Sequence, residues 1–283
     1  MPKITTTQNP TAKKVIKKGA NVLDRITDID FSDDDGISIL LYGQSGSGKT
    51  SLWATFPGPI LAIIVSGGNK PGELRSINTP EYRKKIKTVS LENSDELLSL
   101  IVFQAETAAF KTIVIDHVSG LSDMCTSEVT GKPVPAQKSW GDMTQQQYGK
   151  VALKIKECLR DFLGLAGNRI IIGQERTFEG KEDNEIINPT IGVALMPSVA
   201  GWLYPAVDYV CQTFKKQKTE TVTSKLNGKD FTTTNKVKGV DYCLRTGPHE
   251  VYTTKFRIPK GQSLPETIID PNYTKLIKVI KGS

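Results

Sequence analysis

Short apolar runs separated by amphipathic stretches begin at Gly36 and continue through most of the chain. This pattern is typical of a parallel β-sheet covered by helices, because strands buried on both faces carry nearly continuous apolar side chains. It predicts an α/β fold with a mainly parallel central sheet flanked by helices. The predicted core strands are residues 37–42, 60–65, 86–90, 112–116 and 169–174.

Three helices are predicted between these strands. The first begins at Lys49 and must end near Pro57, because proline cannot continue a helix. The second spans about residues 94–110 and has Asn93 as its N-cap. The third spans about residues 142–163, where apolar positions recur at helical spacing. The core positions expected in this third helix are Tyr148, Val151, Ile155, Cys158, Leu159 and Phe162.

Residues beyond 205 change in character and favour β-strands. Asn227-Gly228 lies between two Thr- and Val-rich stretches, and this pair is a strong hairpin signal because both turn positions need positive φ. We therefore expect β-hairpin additions at the C-terminal side of the sheet. The predicted strands are residues 207–214, 219–226, 229–237, 240–246 and 250–258.

The first 35 residues are polar and differ from the rest of the chain. Lysine pairs at 13–14 and 17–18 precede a largely acidic run at 28–35. This pattern indicates a solvated arm; the alternative is an arm that docks on a neighbouring subunit or on nucleic acid. The predicted organisation is an arm of residues 1–35, a core of residues 36–265 with a hairpin insertion at about 214–240, and a C-terminal helix or tail of residues 266–283.

Composition and charge narrow the class of protein. No stretch approaches the ~18 uninterrupted apolar residues that span a bilayer, so no membrane association is expected. The N-terminus lacks the apolar run of a secretory signal, which predicts a cytoplasmic protein, in a bacterial host if the gene is a phage gene. The formal charge of +7 is compatible with a polyanionic partner. Four cysteines without a CxxC pair support neither a disulfide framework nor a zinc site: Cys125, Cys158, Cys211 and Cys243.

The segment between the first strand and the first helix matches G-x-x-x-x-G-K-[ST] at every fixed position. In such a P-loop the glycines let the backbone curl, so that successive N–H groups point at phosphate oxygens. Lys49 is expected to reach the β- and γ-phosphates of ATP. The predicted nucleotide-binding residues are Gly43, Gln44, Ser45, Gly46, Ser47, Gly48, Lys49, Thr50 and Ser51.

A magnesium ion is the expected companion of the nucleotide. The Thr50 hydroxyl is the predicted ligand from the loop, and the metal needs a carboxylate on its far side. Asp116, at the end of an apolar strand, is the best candidate. The alternative role for Asp116 is a strand-end turn or a cap of the helix that follows.

The order of these motifs resembles the RecA-like ATPases, and most closely the phage nucleotide-binding proteins of the single-strand-annealing RecA-like family, with an AAA/RecA-type core. The resemblance rests on the P-loop, the strands that end in Asp116 and Gln174, and the late basic element Lys255-Phe256-Arg257, and it covers roughly residues 36–265. It implies ATP bound between subunits of a ring or filament. It also implies single-stranded DNA as a partner in recombination, annealing or repair, and a single-strand-binding protein as a further candidate partner.

The resemblance also assigns roles to residues outside the P-loop. Gln174 matches the polar residue that senses the γ-phosphate; the alternative is a buried amide that satisfies a turn. Lys255 and Arg257 match basic residues that reach into the neighbouring subunit's nucleotide, and they lie on one face of a predicted strand. The alternative for this pair is a solvated strand face.

One departure from the family concerns the residue that activates the attacking water. Relatives carry a glutamate just after the second core strand, whereas this chain has Ser66-Gly67-Gly68-Asn69 there. Either Glu73 or Glu175 performs the catalytic role, or hydrolysis is slow and the nucleotide acts mainly as an assembly switch.

Candidate DNA-binding residues lie in two loops and in the hairpin. Residues 126–147 include Lys132, Lys138 and Trp140, which could track phosphates and stack bases. Residues 177–198 are less favourable, since acidic side chains outnumber basic ones. The densest positive cluster lies in the hairpin region, at Lys215, Lys216, Lys218, Lys225, Lys229, Lys236 and Lys238.

Three alternatives remain open at the level of sequence. A small-molecule kinase with a P-loop normally needs an arginine-rich lid, and residues 177–198 contain no arginine. A motor or packaging ATPase would act on duplex DNA. A nucleotide-dependent adaptor with little turnover would fit the missing glutamate.

Overall fold

The computed structural model describes residues 36–65, 74–132, 143–182, 185–226 and 229–282. The strands are β1 Ser38–Gly43, β2 Ile60–Ile64, β3 Ile86–Ser90, β4 Thr112–Asp116, β5 Asn168–Gly173, β6 Glu175–Glu182, β7 Glu185–Val193, β8 Tyr209–Leu226, β9 Lys229–Arg245 and β10 Thr267–Ile269. The helices are α1 Lys49–Trp53, α2 Pro80–Lys85, α3 Ser94–Thr107, α4 Val118–Thr130, α5 Gln145–Leu163, α6 Pro197–Ala206 and α7 Tyr273–Lys281, with a 3-10 turn at Arg75–Ile77.

A single large sheet organises the described residues. Its strand order is β10-β9-β8-β1-β5-β4-β2-β3, and β6 and β7 form a separate two-stranded sheet. The strands from β8 to β3 run parallel, whereas β9 and β10 are antiparallel additions at one edge. The predicted α/β fold, with a mainly parallel sheet and C-terminal hairpin additions, is confirmed.

Strand alternation divides the core into two layers, one on each face of the sheet. In β1, Leu40 and Tyr42 pack on the face covered by α3, α4, α5 and α6. Ile39 and Leu41 pack on the opposite face, where α1 and α7 lie. All four side chains are fully buried, which explains why the first strand carries an unbroken apolar run.

Helix α5 illustrates how local signals set an element's position. Thr144 caps it through a capping box with Gln147. The helix therefore begins at Gln145, three residues after the predicted start at 142. Of the six predicted core positions, Tyr148 and Cys158 are only partly buried. The other four are fully buried: Val151, Ile155, Leu159 and Phe162.

The C-terminal strands are longer and fewer than the sequence suggested. Strands predicted at 207–214 and 219–226 are one strand, β8, and those predicted at 229–237 and 240–246 are one strand, β9. A local irregularity between Gln217 and Thr219 interrupts the pairing without ending either strand. The sequence suggests that a strand ends at such a bulge, whereas the pairing of β8 with β9 continues on both sides of it.

The strand predicted at 250–258 does not form. The segment makes only isolated bridges, Ile191 with Tyr252 and Val210 with Lys255. β9 already pairs with β8 as far as Gln212, so only the first residues of β8 remain open for another partner. Lys255 and Arg257 are therefore not on one face of a regular strand, which corrects the sequence-based prediction.

Both predicted DNA-binding loops contain regular structure. The segment 126–147 begins in α4 and ends in α5, and its residues 133–142, including Lys138 and Trp140, lie outside the described residues. The segment 177–198 forms most of the β6–β7 hairpin and the start of α6. Among the described residues, neither segment is therefore a continuous loop.

Past Thr213, β8 leaves its neighbour β1 and pairs only with β9 among the described residues. The two strands continue together as a ribbon from the pair Lys215–Tyr242 to the pair Leu226–Lys229. This ribbon, residues 215–226 and 229–242, is called the arm below. Twelve residues of extended chain make it roughly 35 Å long.

None of the helices in the described ranges is long and apolar enough to cross a bilayer.

Truncation of Phe162 tests the core beneath α5. The ring is fully buried, so Phe162→Ala should lower the free energy of unfolding by about 3–5 kcal/mol through lost burial and a residual cavity. Leu153→Ala on the same helix is the control, since Leu153 is 69% exposed and should change stability by less than about 0.5 kcal/mol. Urea unfolding followed by circular dichroism measures both, and equal losses would contradict the assigned packing.

Candidate nucleotide-binding site

The P-loop connects the end of β1 to the start of α1 and depends on glycine at two positions. At Gly43, with φ of 154°, an added β-carbon would lie 2.2 Å from the Thr213 carbonyl oxygen. Gly48 is the N-cap of α1 and has φ of 95°, a left-handed conformation that other residues rarely adopt. The glycines allow the close approach of the loop to β8 and its sharp entry into the helix.

A buried hydroxyl pair holds the loop against β8. The Ser47 and Thr213 hydroxyl oxygens lie 2.6 Å apart, and Thr213 Oγ1 also donates to the Tyr42 carbonyl oxygen at 3.3 Å. Both hydroxyl side chains are at least 98% buried. Removal of one partner would leave the other unsatisfied in the interior, so the conformation of the loop is tied to the position of β8.

Lys49 lies over the loop, and its ammonium donates to the carbonyl oxygens of Gly43 at 2.7 Å and Gln44 at 2.8 Å. Burial lowers the pKa of Lys49, while the nearby carboxylates of Asp116 and Glu175 oppose that shift. A partly buried ammonium surrounded by backbone oxygens is suited to bind a phosphate.

Asp116 faces the P-loop across the same cleft. Trp53 Nε1 donates to Asp116 Oδ2 at 3.3 Å, which orients the carboxylate. The N-cap of the following helix is His117, whose Nδ1 accepts from the Gly120 amide, so Asp116 does not serve as that cap. The cleft has a volume of about 460 Å3. It is lined by Ser45, Gly46, Ser47, Gly48, Lys49, Thr50, Ser51, Ser76, Asp116, His117, Ile172, Gly173, Gln174 and Tyr242.

The strand order places Gln174 between the P-loop and Asp116. β5 lies between β1 and β4, and Gln174 directly follows β5. Carboxyl ends of parallel strands meet at one edge of a sheet, where ligands commonly bind. The side chain of Gln174 is exposed and lines the cleft, so the alternative of a buried amide does not describe it.

Thr50 and Asp116 offer hard oxygen donors to one cleft, as magnesium prefers. In the described ranges no group of three or more His, Cys, Asp or Glu side chains is placed to hold a metal. Magnesium characteristically takes one or two protein ligands and completes its shell with phosphate oxygens and water. The residues present therefore fit a magnesium ion that arrives with a nucleotide.

The candidate catalytic glutamates are Glu73 and Glu175. Glu73, like residues 66–69, lies outside the described residues. Glu175 is the residue after Gln174, but its Oε2 accepts from Gln212 Nε2 at 3.2 Å and the residue does not line the cleft. Glu175 is thus held by Gln212, although its carboxylate is near enough to Lys49 to oppose the lowering of the Lys49 pKa.

Lys255 and Arg257 lie away from the P-loop of their own chain. The Lys255 ammonium donates to the Tyr204, Pro205 and Val207 carbonyl oxygens at the end of α6. Arg257 forms a salt bridge of 3.4 Å with Asp208. The Asp208 carboxylate also accepts from Ser38, the first residue of β1, so this cluster lies at the opposite end of β1 from the P-loop.

Comparison with known proteins shows the family. AAA domains match residues 35–258 of the chain. The chain belongs to this AAA-domain family. Membership confirms the predicted P-loop NTPase with an AAA-type core, a class that generally binds a nucleotide with magnesium. Assignment to the phage single-strand-annealing branch stays a prediction.

Among solved structures, the AAA-domain chain is similar to a KaiC-like protein from the hyperthermophilic archaeon Pyrococcus horikoshii OT3. The two are 13% identical with a TM-score of 0.40, and the match covers 84% of this chain and 90% of that one. No curated protein sequence matches the chain at a significant level.

Sequence reasoning missed several residues that meet the P-loop of this AAA-domain protein. Tyr242, on β9, packs against Gly48, where an added β-carbon would lie 3.0 Å from its ring. Ser76 and His117 also line the cleft, and Thr213 supports the loop from below. No local signal marks Thr213 or Tyr242, because each reaches the site through strand pairing with distant residues.

Substitution of Thr213 tests the support of the P-loop. Thr213→Val keeps the shape of the side chain but leaves the Ser47 hydroxyl without this partner, so the free energy of unfolding should fall by about 1–3 kcal/mol. Thr221→Val, at an exposed position of the same strand, is the control and should change little. Urea titration measures both variants. If Thr213→Val is as stable as Thr221→Val, the hydroxyl pair does not hold the loop.

Proposed function

We propose that the protein binds Mg-ATP at the P-loop, assembles with other copies of itself on single-stranded DNA, and acts in phage DNA recombination, annealing or repair. The observation that carries the nucleotide part is the convergence of Lys49, Thr50, Asp116 and Gln174 on one cleft. The DNA part rests on the positive arm beside that cleft and on the resemblance to the single-strand-annealing RecA-like family.

The cleft residues divide the work of nucleotide binding. The loop backbone from Gly43 to Lys49 and the Lys49 ammonium bind the phosphates, with Lys49 exchanging its carbonyl contacts for phosphate oxygens. Gln174, which lines the same cleft, contacts the terminal phosphate in this proposal. Magnesium, with Thr50 and Asp116 as the residues that would hold it, supplies positive charge at the β- and γ-phosphates when bound.

The arm supports a polyanionic partner. Lys216, Lys218, Lys236 and Lys238 are exposed on it, and a two-stranded ribbon that leaves its sheet has little core of its own. Its side chains are therefore available to a partner. Single-stranded DNA fits such a surface, because phosphate contacts need positive charge along an extended path and no base-specific groove.

Head-to-tail assembly would bring the two ends of the sheet together. The cleft lies at the carboxyl end of β1 and the Arg257 cluster at the amino end, and heterologous contacts between different surfaces build rings or filaments. Arg257 is 61% exposed and held by one ion pair, whereas three carbonyl oxygens already engage Lys255. Arg257 is thus the better candidate to reach a neighbouring nucleotide.

A second candidate function is a nucleotide-dependent adaptor with little turnover. The observation that favours it is the position of Glu175, which bonds to Gln212 and does not line the cleft. A steady-state phosphate-release assay with single-stranded DNA separates the two. Turnover stimulated by DNA supports the ATPase, and tight ATP binding without turnover supports the adaptor.

Substitution of Lys49 tests the nucleotide site. Lys49→Ala removes the charged donor to the phosphates and should weaken Mg-ATP binding by at least about tenfold, as expected for loss of a charge-assisted hydrogen bond. Lys84→Ala, on an exposed face of α2, is the matched control and should bind ATP like the unmodified protein. Isothermal titration calorimetry measures both. Equal affinities in the two variants would reject the assignment of the P-loop.

Salt-dependent DNA binding tests the arm. Alanine at Lys216, Lys218, Lys236 and Lys238 should reduce the slope of log K against log salt by about 3, since each single-strand phosphate contact contributes about 0.7. A control variant carries alanine at four exposed lysines elsewhere: Lys84, Lys87, Lys260 and Lys278. Fluorescence anisotropy with labelled oligo-dT and ATP gives both slopes. A larger change in the control would place the DNA elsewhere.

A further inference from the structure

The root of the arm lies against the P-loop. Thr213 pairs with Gly43 at the last position of the β1–β8 ladder, and its hydroxyl contacts Ser47. Lys215 is two residues further along the strand, so its side chain leaves the same face as Thr213. The strand that supports the loop therefore also directs a lysine toward it.

The distance from Lys215 to the loop is short. A β-carbon added to Gly46 would lie 3.8 Å from Lys215 Nζ, and it would meet no closer atom. Gly46 is exposed, has φ of 72° and lines the cleft. The ammonium thus lies beside the part of the loop whose N–H groups face phosphate oxygens in a P-loop.

The surroundings of Lys215 differ from those of the next residue. Lys215 lies opposite the neutral Tyr242 on β9, whereas Lys216 lies opposite Asp241. The cross-strand neighbour of Lys216 is therefore a carboxylate, which offers a partner for its charge. No such carboxylate lies opposite Lys215, and Tyr242 itself packs on Gly48 at the cleft wall.

We infer that Lys215 is a ligand of the nucleotide's phosphates in its own subunit, so that the site extends from the P-loop onto the root of the arm. The inference rests on the proposed nucleotide-binding function and reassigns one lysine of the cluster that the sequence assigned to DNA. A lysine is suited to this role, because its ammonium is a compact charge on a flexible stem and a polyphosphate offers several acceptors.

The extended site connects the nucleotide to the arm. A phosphate group that binds both the P-loop and Lys215 bridges β1 and β8 at the point where they separate. Coupling between two binding sites is reciprocal. If the nucleotide changes the affinity of the arm for a second ligand, that ligand changes the affinity for the nucleotide by the same factor.

Lys215→Ala tests the inference, with Lys84→Ala on α2 as a control of equal charge outside both proposed binding surfaces. Both residues are exposed, and a thermal melt checks that each variant is folded. The probe is Mg-ATP in isothermal titration calorimetry. Lys215→Ala should bind ATP about tenfold more weakly than the unmodified protein, and Lys84→Ala should bind within about twofold. Lys215→Arg should retain most of the affinity.

Three results are decisive. A selective loss in Lys215→Ala supports the inference. Equal affinities of the two alanine variants overturn it, whether both match the unmodified protein or both bind more weakly, since the second result reflects overall charge. Failure of the proposed function gives a different result, because the unmodified protein would then bind no ATP.

Discussion

The parallel pairing of β8 beside β1 is the constraint on which the site depends. β1 ends at Gly43, which pairs with Thr213 of β8. The backbones are so close there that a β-carbon would clash with Thr213, so the turn into the P-loop requires glycine. The Ser47–Thr213 hydroxyl pair then fixes the loop in the interior. The same strand continues into the arm, so the support of the loop and the base of the positive surface are one element.

Strand order decides which side chains meet the loop. Insertion of β5 between β1 and β4 brings Gln174 between the P-loop and Asp116 at the carboxyl edge of the sheet. Glu175, the first residue of β6, instead accepts a hydrogen bond from Gln212. The cleft thus brings the P-loop lysine, the Thr50 hydroxyl and the Asp116 carboxylate together, whereas Glu175 is not among its lining residues.

Strong local signals made much of this protein predictable from sequence. Apolar runs placed the first five strands, β1 to β5, within a residue or two, because strands buried on both faces carry few polar side chains. The P-loop motif identified Lys49 and Thr50, and the strand-end position identified Asp116, all of which line the cleft. The Asn227-Gly228 pair located the hairpin between β8 and β9, which sets the C-terminal edge of the sheet.

Only the tertiary structure decided which residues from distant segments meet there. Thr213, Lys215 and Tyr242 reach the loop through strand pairing across about 170 to 200 residues of sequence, and no local pattern encodes that register. The failure of a strand at 250–258 has the same cause, because β9 already occupies the edge of β8. The sequence therefore determined the P-loop and its chemistry, whereas the sheet determined which distant residues surround the P-loop. The reason is that strand order and register are properties of the assembled sheet.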